Sequence, residues 1–175
     1  MKEKFTIGLA RPEDVSDLHA LIRGLADYER LADACVSTPA DIHRALFGPH
    51  PAAEALIARE RDKTTQAAGF ALFFHTFSTF LGRRSLWLED LFVRPEVRGA
   101  GLGRALLLEL AGIARDRGCG RFEWAVLDWN ASAIGFYQKQ GAVILPDWRI
   151  ARVAGPALET LAGQRGGRRA GEGTT

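Results

Sequence analysis

Between Leu86 and Arg104 the chain runs through an apolar segment, meets a proline, and crosses three glycines on alternate positions before a helical pattern begins. No other stretch constrains the fold as tightly, because each part admits one local structure. Leu86 to Val93 reads as a buried strand interrupted by a single acidic pair, Glu89 and Asp90. Arg94-Pro95 ends it, since proline lacks a ladder donor and restricts the residue before it. Gly99, Gly101 and Gly103 then let successive backbone N–H groups converge on an anion, and the N-terminus of the helix expected over Arg104 to Arg117 adds partial positive charge. A strand carrying carboxylates therefore leads into an anion cradle, which suits a phosphorylated cofactor held beside a proton-accepting group.

The flanking pattern gives the fold class. Phe5 to Leu9 alternates like a first strand, and Val15, Leu18, Leu21, Ile22 and Leu25 recur at helical spacing after Arg11-Pro12. Thr38-Pro39-Ala40-Asp41 starts a second helix, with threonine as N-cap and proline in the first turn. Ala55 to Arg59, Gln66 to Phe77 and the strand bearing Glu89 follow one another through turns at Arg61 to Thr64 and Phe80 to Arg84, which makes this section antiparallel. Arg121 to Leu127 reads as a further strand, Ser132 to Gln140 as a helix and Trp148 to Val153 as a last strand. The expectation is an α/β protein of the α+β kind, a mixed, mostly antiparallel sheet with helices on both faces. From Gly163 onward Gly, Arg and Thr replace hydrophobic periodicity, so residues 1–162 are expected to form one domain and 163–175 a flexible tail.

The glycine loop alone is a weak signal. A dinucleotide fingerprint counted from Gly99 would place a third glycine where Arg104 stands, and the absence of Gly-Lys-Ser/Thr excludes a P-loop. Arg98-x-x-Gly101-x-Gly103, however, resembles the R/Q-x-x-G-x-G/A loop of the GNAT N-acetyltransferases, and Asn130-Ala131-Ser132-Ala133-Ile134-Gly135-Phe136-Tyr137 with the following Gly141 resembles a second segment of that family. Ala26-Asp27-Tyr28-Glu29, Gly48-Pro49-His50-Pro51, Leu88-Glu89-Asp90-Leu91-Phe92-Val93, Trp129-Asn130 and Asp147-Trp148-Arg149 are similar, in the same order, to pieces of its diamine (spermidine/spermine) acetyltransferase branch. The resemblance covers roughly residues 5 to 160. It implies the GNAT fold, acetyl-CoA as co-substrate, and a homodimer in which the last strands and helices meet near the active sites.

On that resemblance the pyrophosphate falls to Arg98, Gly99, Ala100, Gly101, Leu102, Gly103 and Arg104. The carbonyl and pantetheine fall to backbone N–H groups around Leu91, Phe92 and Val93, with Asn130, Ser132 and Ala133 completing the cofactor side. Tyr137 maps onto the family tyrosine beside the cofactor sulfur. The chemistry agrees: a thiolate of reference pKa ~8.5 departs, and a phenol is a competent donor. The competing account is a half-buried core tyrosine between Phe136 and Gln138.

Glu89 and Asp90 are costly in an apolar strand unless they have work there. A primary amine of reference pKa ~10.4 is almost wholly protonated at neutral pH, which handicaps attack by roughly 4–5 kcal/mol unless the site takes the proton. The resemblance assigns that task to Glu89 and an orienting one to Asp90; the plain alternative is one salt bridge and one loop hydrogen bond. Tyr28, Glu29, Glu123, Asp128, Trp129 and Asp147 are further candidates for an acidic, aromatic-lined acceptor pocket. Each of those acids alone is an ordinary surface residue. Where the polyamine branch carries Tyr-Asp-Pro-Trp this chain has Phe77-Ser78-Thr79-Phe80, so the acid that would hold a distal ammonium is replaced by Ser78.

The rest bounds the function. With 23 basic against 21 acidic residues, charge argues neither for nor against nucleic acid, and none is expected as partner. Cys35 and Cys119 suit a reducing compartment, no apolar run approaches membrane length, and the histidines lack metal-ligand spacing. A cytoplasmic enzyme without a metal is expected, acting on a small-molecule amine. Alternatives are a lysine-like or aminoglycoside acceptor, a protein acceptor, and a non-catalytic acyl-CoA-binding regulatory module.

Overall fold

The structure of the protein, a computed structural model, describes residues 4–166, which fall into two compact units divided between Ala125 and Val126. The first unit is built on a five-stranded sheet in the order β1 (Phe5–Leu9), β2 (Glu54–Glu60), β3 (Lys63–Ser78), β4 (Arg83–Val93) and β5 (Phe122–Trp124). Strands β1 to β4 pair antiparallel, and β5 joins β4 in parallel through the crossover helix α3 (Leu102–Asp116). The mixed, mostly antiparallel sheet is as expected from the sequence.

Side-chain alternation gives the sheet two apolar faces. One carries Ala55, Ile57, Phe70 and Phe92 and packs on Leu18 and Leu21 of α1 (Val15–Tyr28) and Leu46 of α2 (Pro39–Phe47). The other carries Phe73, Leu86 and Leu88; the α3 residue Arg117, just past the helix end, lies over the Phe73 ring and pairs with Glu54 at 2.8 Å. Phe70, Phe73 and Leu86 are wholly buried. At the opposite edge Arg59 reaches both Asp14 and Asp17 at 2.6 Å, which pins the start of α1 to β2. Helix α2 opens with the expected Thr38 cap: its hydroxyl accepts from the Asp41 N–H while the Asp41 carboxylate accepts from the Thr38 N–H.

The second unit holds α4 (Ala131–Lys139) and α5 (Pro156–Gly163). The structure departs from expectation at three places. Trp148 to Val153 is irregular chain, not a strand: Trp148 and Ile150 are exposed, and the Arg149 side chain donates to the carbonyls of Pro146 and Trp148 where a ladder neighbour would otherwise bond. Apolar alternation makes a strand only where the segment actually pairs with a neighbouring one. The strand expected over Arg121 to Leu127 shrinks to Phe122–Trp124 for the same reason, since β4 pairs with it only there. Helix α5 was not expected, although Gly155-Pro156 is a legible start with proline in the first turn. Of the expected tail, Gly163 closes α5 and Gln164–Gly166 form a short 3-10 turn; residues 167–175 lie outside the described residues. Among the described residues no helix is long and apolar enough to cross a membrane.

Candidate active site

The pairing of β4 with β5 spans Leu86 to Leu88 against Phe122 to Trp124 and then stops, while β4 runs on to Val93. From Glu89 to Val93 the strand therefore has a ladder partner on its β3 side alone among the described residues. The alternation of an antiparallel ladder decides which backbone groups are left over. The Arg94 N–H donates to the Ala68 carbonyl at 2.9 Å, so the evenly spaced partners Phe92 and Asp90 also bond toward β3. The N–H and C=O groups of Leu91 and Val93 point the other way, to the open edge. Consistent with that, the Val93 carbonyl accepts from Arg98 Nε at 3.1 Å. An extended amide-bearing ligand can pair with such an edge as an added strand would.

The chain then enters the glycine loop. Gly99 and Gly101 both take positive φ, +80° and +84°, which L side chains adopt only with strain. Gly101 is also the N-cap of α3, and as glycine it has no side chain with which to cap that end. The first turn of α3, from Leu102, therefore begins with the partial positive charge of a long helix. Ala100 lies between the two left-handed glycines, and Arg104 is exposed in the first turn. The open edge of β4 is thus followed in the chain by two left-handed glycines and the start of α3.

The acidic pair is split by an irregularity that the sequence reading did not include. Leu88 pairs with Phe73 and Asp90 with Leu72, so Glu89 is an extra residue, a β-bulge. Strict alternation would put Leu88 and Asp90 on one face. The bulge instead turns Asp90, with Phe92, to the face covered by α1. Asp90 is half-buried, and its carboxyl is pushed up to about 6 by loss of solvent first, then by the charges of Glu89 and Glu29. Glu29, the residue that closes α1, is also raised, by burial. Glu89 is exposed, and its carboxylate accepts from Trp87 Nε1 at 2.9 Å. The structure thus gathers Glu29, Glu89 and Asp90 beside the open edge.

Tyr28 belongs to the same cluster, at the end of α1, where the Arg98 guanidinium stacks over its ring at 4.6 Å. Glu123 is not gathered there: on β5 it pairs with Arg121 at 2.7 Å. Ser78 ends β3 and its hydroxyl accepts from the Leu81 N–H at 3.3 Å, so the residue standing for the missing acid holds the hairpin turn.

In the second unit, Asn130 caps α4 by accepting from the Ala133 N–H at 3.1 Å, which orders the helix start that carries Ser132 and Ala133. Tyr137 is buried in α4, its ring 5.2 Å from that of Phe136. Asp128, Trp129 and Asp147 lie exposed in turns.

Two residues that position this site were missed by the sequence reading. A Cβ on Gly69 would fall 2.6 Å from the Phe92 carbonyl, and one on Gly24 would fall 3.1 Å from the Phe92 ring. Glycine at both places lets β3 and α1 close on the strand end that carries Phe92 and Val93. A lone glycine within a strand or helix pattern was the available signal.

Comparison with known proteins agrees with this geometry. The sequence pattern of the acetyltransferase (GNAT) family matches residues 22–142. A thialysine N-epsilon-acetyltransferase from Sus scrofa is 35% identical, covering 89% of this chain and 95% of that protein. An L-ornithine N5-acetyltransferase from Arabidopsis thaliana is 32% identical, covering 89% of this chain and 86% of that protein. Among solved structures, an integron cassette protein from the mobile metagenome of V. cholerae superposes with a TM-score of 0.76 at 27% identity, covering 91% of this chain and 98% of that one.

Proposed function

The chain belongs to the GNAT acetyltransferase family and is an acetyltransferase, and we propose that it acetylates a primary amine of a small cationic substrate, a diamine, polyamine or lysine-like amine. The observation that carries this reading is the open edge of β4 from Glu89 to Val93, running into the glycine loop on one side and flanked by Glu29 and Asp90 on the other. Relatives named for thialysine and L-ornithine favour the lysine-like end of that range.

Acetyl-CoA supplies the activated acetyl thioester. Leu91 and Val93 offer it edge N–H groups on either side of Phe92, and the glycine loop from Gly99 to the first turn of α3 faces its pyrophosphate. Glu29 and Asp90 attract the acceptor's ammonium, since unbalanced half-buried carboxylates recover part of their desolvation when a cation arrives. Glu89, exposed and oriented by Trp87, takes the ammonium proton directly or through water, which frees the lone pair for attack. Tyr137 protonates the departing sulfur. Asn130, Ser132 and Ala133 serve the cofactor side; Asp128, Trp129 and Asp147 serve the acceptor side, and Glu123 does so only if its pair with Arg121 opens. The protein is proposed to work in the cytoplasm as a homodimer. The exposed apolar residues Val143, Leu145, Trp148 and Ile150 support pairing, and a monomeric mass in light scattering at micromolar concentration would contradict it.

A panel of amines assayed for CoA release tests the substrate class. Short diamines and lysine-like amines are expected to match or exceed spermine in kcat/KM, because Ser78 offers no counter-charge to a far ammonium. A strong spermine preference would overturn that, and no release with any amine would favour the non-catalytic acyl-CoA module.

The same assay run against pH separates the two acids. Below about 6 Asp90 takes up a proton in the free enzyme and ceases to attract the ammonium. The kcat/KM for the amine should therefore fall as pH drops through about 6, and Asp90→Asn should lower the plateau and flatten that limb. Glu89→Gln should lower the rate at neutral pH and regain part of it as pH nears the amine's own pKa. An acid limb still centred near 6 in Asp90→Asn, or a flat profile for Glu89→Gln, would remove the corresponding role.

A further inference from the structure

Arg98 sits where the sequence pattern calls for a phosphate-binding charge, yet its side chain is engaged elsewhere. Its Nε donates to the Val93 carbonyl on the open edge of β4 at 3.1 Å. Its guanidinium lies 4.6 Å from the centre of the Tyr28 ring and 5.7 Å from that of Phe92. Phe92 in turn lies so close under α1 that a Cβ on Gly24 would stand 3.1 Å from its ring. One planar side chain thus joins three elements: the β4 edge, the loop before α3, and the last residue of α1. The next residue along α1 is Glu29, whose charge reaches Asp90.

We propose that Arg98 is a positioning residue for the amine, a strap that holds Tyr28 and Glu29 against the cofactor edge, and that phosphate binding is left to the backbone of the glycine loop. This rests on the reading of Glu29 and Asp90 as the acceptor side. A guanidinium suits the task because it can stack on a ring face while its in-plane N–H bonds a carbonyl. Lysine keeps the charge but not the plane.

The test compares Arg98→Lys, Arg98→Gln, Tyr28→Phe, Tyr28→Leu and the double variant Arg98→Gln/Tyr28→Leu. Acetyl-CoA affinity by calorimetry should stay within about threefold of the parent in all of them. The amine KM should rise about threefold to tenfold in Arg98→Gln and Tyr28→Leu, with smaller change in kcat, as the loss of one partly exposed cation–π stack predicts. Tyr28→Phe, which keeps the ring, should raise the amine KM less than Tyr28→Leu does; Arg98→Lys should resemble Arg98→Gln. The double variant should be no worse than either single one, because both remove the same contact. Amide hydrogen exchange over residues 24–31 should quicken in Arg98→Gln, a readout that needs no turnover. If Arg98→Gln weakens acetyl-CoA more than tenfold, Arg98→Lys restores it and Tyr28→Leu changes nothing, Arg98 is a phosphate ligand and the strap is overturned. Unchanged exchange over that segment overturns it as well. If no amine is acetylated by the parent enzyme, the acceptor reading fails, while calorimetry and exchange still decide the strap.

Discussion

Replacing Tyr137 by phenylalanine is expected to lower kcat by roughly 10²–10³-fold while leaving acetyl-CoA affinity nearly unchanged, the size associated with loss of a general acid. The substitution keeps everything that packing supplies. The ring is buried in α4 and tilted against Phe136, and the Tyr137 carbonyl goes on accepting from the Gln140 and Ala142 N–H groups. Only the phenolic hydroxyl is lost, so a merely structural tyrosine would show a change in stability and near-normal turnover. Steady-state kinetics set beside calorimetric acetyl-CoA binding make the distinction. A thiolate of reference pKa ~8.5 leaves unaided at some rate, and activity in Tyr137→Phe should therefore recover further with acyl donors whose thiols are more acidic. Turnover within a few-fold of the parent on acetyl-CoA would return Tyr137 to the core.

Gly101→Asp should abolish the rise in thermal stability that acetyl-CoA gives the parent protein. A ligand present at about 100 times its Kd stabilises a fold it alone recognises by about 2.7 kcal/mol, an effect easily read as a Tm shift. Gly101 has φ +84° and heads α3 as its N-cap. An aspartate there brings its carboxylate to the place where the cradle would receive the pyrophosphate, and repels it. The backbone strain of a side chain at positive φ adds about 1–2 kcal/mol of destabilisation that is independent of ligand. Gly101→Ala carries the strain without the charge, so it should lower Tm and yet keep part of the shift. An unchanged shift in Gly101→Asp would remove the phosphate assignment.

Much of this machinery is legible in the sequence because the rules involved act over a few neighbouring residues. Arg94-Pro95 ends β4, the Thr38–Asp41 box opens α2, and Gly99 and Gly101 adopt the left-handed backbone that their lack of a Cβ allows. Steric and capping preferences of that kind depend little on the rest of the chain, and so the strand, loop and helix could be placed in order. The resemblance then attached roles to Glu89 and Tyr137 by position.

What lies outside those rules was decided by residues far apart in the chain. The bulge at Glu89 exists because Leu72 and Phe73 fix the register opposite it, and that register, not the alternation of β4 itself, turns Asp90 toward α1. The same holds for Arg98, whose sequence context calls for a phosphate and whose neighbours in space are Tyr28 and Phe92. Trp148 to Val153 shows the converse case: an alternating apolar segment that pairs with no strand among the described residues and stays irregular. By itself the sequence determined the elements whose backbone conformation is settled locally. Only the tertiary structure decided register, the open edge of β4 and the surroundings of each acid, because hydrogen-bond partners and loss of solvent are supplied by segments that a local pattern does not contain.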